Sequence, residues 1–173
     1  EKEKGTLLRM SISPLQISEF IWSKILTSAL IGIFCTLFLV GLGSVLFSID
    51  WGRPGLLLVI ILSLNILIAG FIAFLYTFIQ TERQAGALMS SVIVVMALLG
   101  GSMVPISNFP ILVQKISRFT VNYWGLEAFR KNIMREPVSQ IWLIILGMLV
   151  GGLLLSLASS FLLKKKLKKG LYR

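Results

Sequence analysis

Four stretches of this chain carry no charged residue: 25–49, 54–81, 84–114 and 137–163. An α-helix rises 1.5 Å per residue, so about 20 mainly apolar residues cross a bilayer's hydrocarbon core. Each stretch is long enough to do so. Charged residues make up 14% of the chain, against about 25% in soluble domains. The pattern predicts an all-α polytopic membrane protein with four transmembrane helices and excludes a soluble enzyme. The absence of histidine removes an imidazole base and any His-ligated metal site. The single Cys35 lies inside an apolar stretch and reads as a small buried hydrophobe, and no acidic residue falls inside an apolar core. No catalytic residue and no metal site are therefore expected. The chain begins at Glu1 with no initiator Met and no signal-peptide pattern, which reads as a fragment.

The spans are placed at about 25–47, 56–79, 87–104 and 141–163, the last within the segment 137–163. Residues 1–24 mix charged and apolar side chains ahead of the first span. There Ser13-Pro14-Leu15-Gln16 reads as a helix start, with Ser13 as cap and Pro14 where a missing N–H costs nothing. Asp50-Trp51-Gly52-Arg53-Pro54-Gly55 forms a polar turn, with Trp51 suited to the headgroup level. Pro105 breaks the third span. The segment 105–136 is too polar to cross, yet it is patterned. Ile111, Leu112, Ile116 and Phe119 share one helical face, and Trp124, Ala128 and Phe129 oppose Glu127, Arg130, Lys131 and Arg135. Glu127 precedes Lys131 by four residues, the favourable order for a helical ion pair. Two short amphipathic helices are expected to lie on, or dip into, one face of the membrane.

Four spans put both ends of the chain on one side, together with the turn at 81–84. Of 17 basic residues, eleven fall on that side, five of them between 164 and 169, and six on the other. Lys and Arg favour the cytoplasmic side, so both ends are expected in the cytoplasm of a multi-pass plasma-membrane protein. The basic tail 164–173 is then explained by the anionic inner leaflet, at about 1 kcal/mol per residue, without a nucleic-acid partner. In the last span, Gly147-x-x-x-Gly151-Gly152 is a small-residue face for close helix packing, within the chain or between chains. Asn65, at mid-span, is costly facing lipid and is expected to bond another helix or to line a cavity.

Two regions carry a family resemblance. EKEKGTLLRMSISPLQISEFIWSK resembles the cytoplasmic segment of type-two ABC exporter permeases, through Glu1, Glu3, Gly5, Thr6, Arg9, Ser13, Pro14, Glu19 and Lys24. The segment GGSMVPISNFPILVQKISRFTVNYWGLEAFRKNI resembles the family's outer-face segment, through Gly101, Pro105, Asn108, Pro110, Gln114, Tyr123 or Trp124, Glu127 and Arg130. Leu8 departs from the pattern, standing where an acidic residue is common, and 11–13 is a looser fit.

The resemblance implies six spans per subunit, so that this chain corresponds to the last two-thirds of one. It assigns residues 1–12 to a coupling helix that docks on a nucleotide-binding subunit through Glu1, Glu3, Gly5, Thr6, Leu7 and Arg9. The plain alternative is an interfacial helix that only anchors the first span. It also implies that the helices over 105–136, with Pro105, Asn108, Pro110, Tyr123, Trp124, Glu127 and Arg130, close the exit. Glu127 with Arg130 or Lys131 reads as structural pairing. No phosphate-binding loop G-x-x-x-x-G-K-S/T occurs in the chain, so ATP and Mg2+ would be held by a partner. The expected function is the transmembrane subunit of an ATP-driven exporter for a hydrophobic or amphipathic cargo such as a drug, antibiotic, lipid or glycolipid. It would pair with a second permease subunit, as homo- or heterodimer, and Asn65 is the one intramembrane candidate for cargo contact. The alternatives are an ATP-independent secondary transporter or channel, which calls for charged groups at membrane depth, and a membrane scaffold.

Overall fold

The computed structural model describes residues 17–79 and 81–168. The docking residues Glu1, Glu3, Gly5, Thr6, Leu7 and Arg9 lie outside the described residues. Every regular element described is helical. They run α1 (Ile17–Phe47), α2 (Pro54–Tyr76), α3 (Glu82–Leu99), a 3-10 turn (Ile106–Asn108), α4 (Ile111–Ser117), α5 (Val121–Ile133) and α6 (Val138–Lys168). Local chemistry sets the starts. Pro54 occupies the first turn of α2, where its ring needs no donor. The Thr81 hydroxyl accepts the Gln84 amide at 3.2 Å and caps α3. Thr120 caps α5 in the same way, accepting from Tyr123 N at 3.3 Å.

Among the described residues, three helices are long and apolar enough to cross a membrane: Trp22–Phe47, Pro54–Tyr76 and Val138–Lys165. The fourth apolar stretch forms a shorter helix. α3 has 18 residues, and the chain leaves it at Gly100-Gly101 rather than continuing to Pro105. Gly101 adopts φ 86°, a left-handed conformation that closes helices and suits glycine. A side chain there would also strike Ile106 at 2.6 Å.

The centre of the molecule is the α2–α6 pair. Ile60 and Leu67 of α2 interlock with Ile141, Ile144, Ile145 and Met148 of α6, and Val121 and Ala128 of α5 complete the cluster. Lipid tails are as apolar as these side chains, so the pair is held by close packing rather than by escape from water. The small residues permit that approach. A Cβ on Gly70 would lie 2.4 Å from the Gly152 carbonyl oxygen, and one on Gly152 would lie 2.9 Å from the backbone of Ile66. Gly152 therefore packs within the chain. Ser159 donates across the same interface to the Ala73 carbonyl at 2.9 Å.

α1 leans on α2 through Ile25 and Ala29 against Ala69, and higher up through Gly32 against Asn65. Much of its remaining surface is exposed, including Phe34, Phe38, Leu39 and Val45. Cys35 is among the exposed residues, which corrects the expectation of a buried thiol: the Gly32–Thr36 edge meets α2, and Cys35 points away from it. α3 packs on α4 and α5 and at most marginally on the other long helices; its Ile93, Val94, Val95 and Leu98 are exposed.

Candidate functional site

The segment 100–137 and the turn 48–53 form a crown at one end of the bundle. Its depth follows from the register of its contacts. Gly125, near the start of α5, lies against Leu64, ten residues into α2 and thus about 15 Å below that helix's first residue. Trp124 approaches Gly147 of α6 at a similar depth. At its other end, Asn132 of α5 bonds the turn that precedes α2. α5 is therefore re-entrant. It starts well inside the bundle and rises to the surface. This placement explains why α3 stops short: Gly100 abuts Asn122 and Thr120, so α3 needs to reach only the buried start of α5. Asn122 Nδ2 donates to Ser102 Oγ at 3.0 Å across the same junction. Irregular backbone at membrane depth requires protein or water against it, and α5 supplies the protein.

α4 is different. Val113 and Gln114 are half-buried and Ser117 is fully buried, but the apolar face Ile111, Leu112, Ile116 and Phe119 is exposed. The face expected from the sequence is present, and it points away from the chain. Pro105 precedes the 3-10 turn that contains Asn108, and Pro110 precedes α4 in extended conformation; all three are exposed. Gln114 donates to the Phe109 carbonyl at 2.8 Å and ties α4 to that turn. Tyr123 and Trp124 meet edge to face at 5.9 Å, and Trp124 donates to the Arg118 carbonyl at 2.8 Å, spanning the α4–α5 joint.

The upper end of α5 is clamped onto the 50–53 turn. Asn132, fully buried, donates to the carbonyls of Trp51 (2.7 Å) and Arg53 (3.3 Å). Gly52, at φ 81°, lies so close that a Cβ would fall 2.0 Å from the Asn132 carbonyl oxygen. Arg53 donates to the carbonyls of Glu136 (2.9 Å) and Arg135 (3.3 Å). Its guanidinium thus holds the polypeptide just past the end of α5, where carbonyls lack helical partners and a cation is favoured. The helix closes with Glu136 N donating to Lys131 O at 3.0 Å, and Arg135 takes the left-handed position at φ 54°. Trp51 does not project to the surface. Its indole N–H reaches the Val40 carbonyl at 3.1 Å, and its ring packs edge-on to Phe129.

Of the two cations expected to pair with Glu127, Arg130 takes the closer position and Lys131 the looser one. Glu127 is held at both oxygens by Arg130, at 2.7 and 3.0 Å, whereas Lys131 stands 3.8 Å away and pairs with Glu136 and Gln140. The fork geometry of arginine accounts for the preference. The Arg130 hydrogen bonds hold the Glu127 carboxyl below its usual range, and Glu127 in turn raises the Arg130 guanidinium. Asp50 is lowered chiefly by the Gly52 backbone N–H and then by Arg135, 3.0 Å away.

Asn65 lies outside the crown. It is buried where α1 crosses α2, donating to Ile61 O at 2.9 Å and to Thr36 Oγ1 at 3.3 Å. The four residues that fasten the crown, Gly52, Arg53, Asn132 and Glu136, were not singled out from sequence. Gly52 and Arg53 entered only as members of the polar turn 50–55. A glycine beside an arginine in a polar turn was the one available signal.

A re-entrant helix set against two long apolar helices, and clamped to the turn of a neighbouring pair, is membrane architecture. Residues 1–161 match the sequence pattern described as ABC-2 family transporter protein. The chain belongs to the ABC-2 transporter family. No curated protein and no solved structure matches it. As an ABC-2 permease, it is a multi-pass membrane subunit of an ABC transporter, and the family pairs such subunits with an ATP-binding subunit. The crown carries the ion pairs of Glu127, Glu136 and Asp50, and it joins α2, α5 and α6 of this ABC-2 chain into one unit.

Proposed function

We propose that this chain is the transmembrane part of an ATP-driven exporter that moves a hydrophobic or amphipathic cargo outward. The observation that carries this reading is the ABC-2 match over residues 1–161. In it, α3 acts as the fourth, shortened span, completed in depth by α4 and α5. Both ends of the chain then lie in the cytoplasm and the crown faces out. Residues 1–12 dock on the nucleotide-binding subunit, which binds ATP and Mg2+, and a second permease subunit completes the pathway. When ATP closes the nucleotide-binding pair, the long helices tilt as rigid elements and the cavity opens outward. The crown, with Pro105, Asn108, Pro110, Tyr123, Trp124, Glu127 and Arg130, serves as the exit lid. Asn65 meets cargo only if α1 and α2 part; closed, it pins the two helices.

Between residues 25–47, 54–79 and 138–163 the described helices contain no Asp, Glu, Lys or Arg. That supports an apolar pathway over an ion-coupled transporter, which relies on charged groups at depth. The test is reconstitution of the full permease with its ATPase subunit in proteoliposomes and a cargo screen. ATP-dependent flux, lost with Gly5→Pro plus Leu7→Asp, is the expected result. Flux that proceeds without ATP, or an ATPase complex unaffected by those substitutions, would overturn it.

A further inference from the structure

α4 and the two residues after it present a mixed face. Successive residues of a helix turn by about 100°, which puts Lys115 and Arg118 on the same half as Ile111, Leu112, Ile116 and Phe119. All six are exposed, whereas Ser117 on the opposite half is buried and Val113 is half-buried. Cations and apolar side chains therefore share one surface, with Lys115 set between Ile111 and Phe119. A helix that only rests on a membrane separates the two, with its apolar side in lipid and its charges in water. Here the side that would face water is taken up by the chain itself.

The depth of this face sharpens the conflict. The Arg118 carbonyl accepts the Trp124 indole N–H at 2.8 Å, and the Trp124 ring lies 3.8 Å from where a Gly147 Cβ would stand. Gly147 is nine residues past the start of α6 at Val138, about 13 Å along the axis, and half of a hydrocarbon core is about 15 Å. The backbone at Arg118 is thus well below the crown-side end of the long helices. Charged groups at such depth face a water-filled cavity and mark a substrate path. Neither cation is in an ion pair among the described residues, because Asp50 is held by Arg135, Glu127 by Arg130 and Glu136 by Lys131. A second copy of the same crown would bring the same engaged carboxylates.

We propose that the exposed face of α4 is a cargo station and that the cargo is an amphipathic anion. Its phosphate or carboxylate sits on Lys115 and Arg118, and its apolar body lies along Ile111, Leu112, Ile116 and Phe119. Arginine and lysine both suit such an anion, arginine by its planar fork and lysine as a point charge. The proposal rests on the exporter reading and narrows it: neutral and cationic amphiphiles are handled poorly. The partner carboxylate that the two cations lack in the chain is supplied by the cargo.

The experiment uses the full permease with its ATPase subunit in phosphatidylcholine nanodiscs, with Leu112→Cys as a reporter in a background free of other cysteines. A membrane-impermeant sulfonated maleimide should modify it about tenfold faster than Leu143→Cys, an exposed position on α6. Equal, slow rates would mean that α4 faces lipid and would overturn the proposal. Dodecyl phosphate should protect the reporter at about tenfold lower concentration than dodecyl maltoside, which has the same chain and no charge. Lys115→Gln with Arg118→Gln should abolish that difference and leave the maltoside value unchanged, and Lys115→Arg with Arg118→Lys should retain it. Lys115→Glu with Arg118→Glu should transfer the preference to dodecyltrimethylammonium, a gain that a misfolded variant cannot show. Equal protection by phosphate and maltoside, or a phosphate preference that survives the double glutamine variant, would overturn the proposal. Protection is read without ATP. Intact selectivity without ATP-driven flux would overturn the exporter reading, whereas ATP-driven flux indifferent to the anion would overturn this one alone.

Discussion

α2 and α3 are both apolar helices, yet one is locked into the molecule and the other lies along its edge. α2 buries Ile60, Ile61, Leu67, Ala69 and Gly70, and α3 leaves Ile93, Val94, Val95 and Leu98 exposed. Hydrophobicity does not separate them, because in a bilayer an apolar side chain is at ease facing lipid or protein. What separates them is relief. α2 offers Gly70 to a partner, and α6 answers with Gly152 and Ser156. α3 has most of its small residues at 85–87 and 90–91, near its start, and from 92 to 99 only Ala97 interrupts bulky side chains. Close approach, and with it cumulative dispersion, follows small residues.

The comparison can be broken most directly at the glycine contact. Gly152→Leu forces its Cβ against the backbone of Ile66 and should destabilise the permease by about 3 kcal/mol through overpacking. Val94→Leu on α3 should stay within about 0.5 kcal/mol. Thermal unfolding in detergent measures both. Comparable losses would mean that α3 is packed as tightly as α2.

The next effect belongs to the crown. Gly52→Ala places a side chain at φ 81° and against the Asn132 carbonyl. It should cost about 2 kcal/mol from the left-handed conformation alone, with faster proteolysis at the 48–53 turn. Gly55→Ala, in open space at the start of α2, should be neutral or stabilising. Equal sensitivity at the two glycines would show that the clamp contributes nothing.

A smaller change is expected at Asn65→Ala, which removes one hydrogen bond to α1. Interhelical hydrogen bonds in membranes average about 0.6 kcal/mol, and Thr36 keeps its bond to the Gly32 carbonyl at 2.7 Å. A loss well above that value, seen as separation of α1 from α2 by cysteine crosslinking, would make Asn65 the principal pin between them.

The smallest effect is acid sensitivity of the crown. Glu127 titrates below its ordinary value of 4.5 in the fold. Its stabilising contribution is therefore complete above that pH and lost as the pH falls through the lower, folded value. Unfolding temperature should decline more steeply on acidification in the native protein than in Glu127→Gln. Identical slopes would assign the acid response to other carboxylates.

Much of this was legible in the residues. The charge-free stretches located the long helices, the turn at 50–55 was visible from its polar residues, and the amphipathic faces of α4 and α5 followed from spacing. Other features depended on partners distant in sequence. The early end of α3 arises because Thr120 and Asn122 meet Gly100. Sequence left Arg130 and Lys131 as equal partners for Glu127; Arg130 holds the closer position because Glu136 and Gln140, beyond the helix, draw the lysine toward themselves. The clamp by Asn132 joins residues about 80 positions apart, and no local pattern signals it.

By itself the sequence determined the solvent this chain inhabits and the positions of its long helices, because about 20 uncharged residues have few other places to go. It could not determine which apolar faces meet. Lipid and protein interiors offer an apolar side chain nearly the same environment, so hydropathy is silent on helix pairing. That choice was made by shape in three dimensions: Gly70 against Gly152, Gly52 beneath Asn132, and a re-entrant α5 whose depth is set by Leu64 and Gly147.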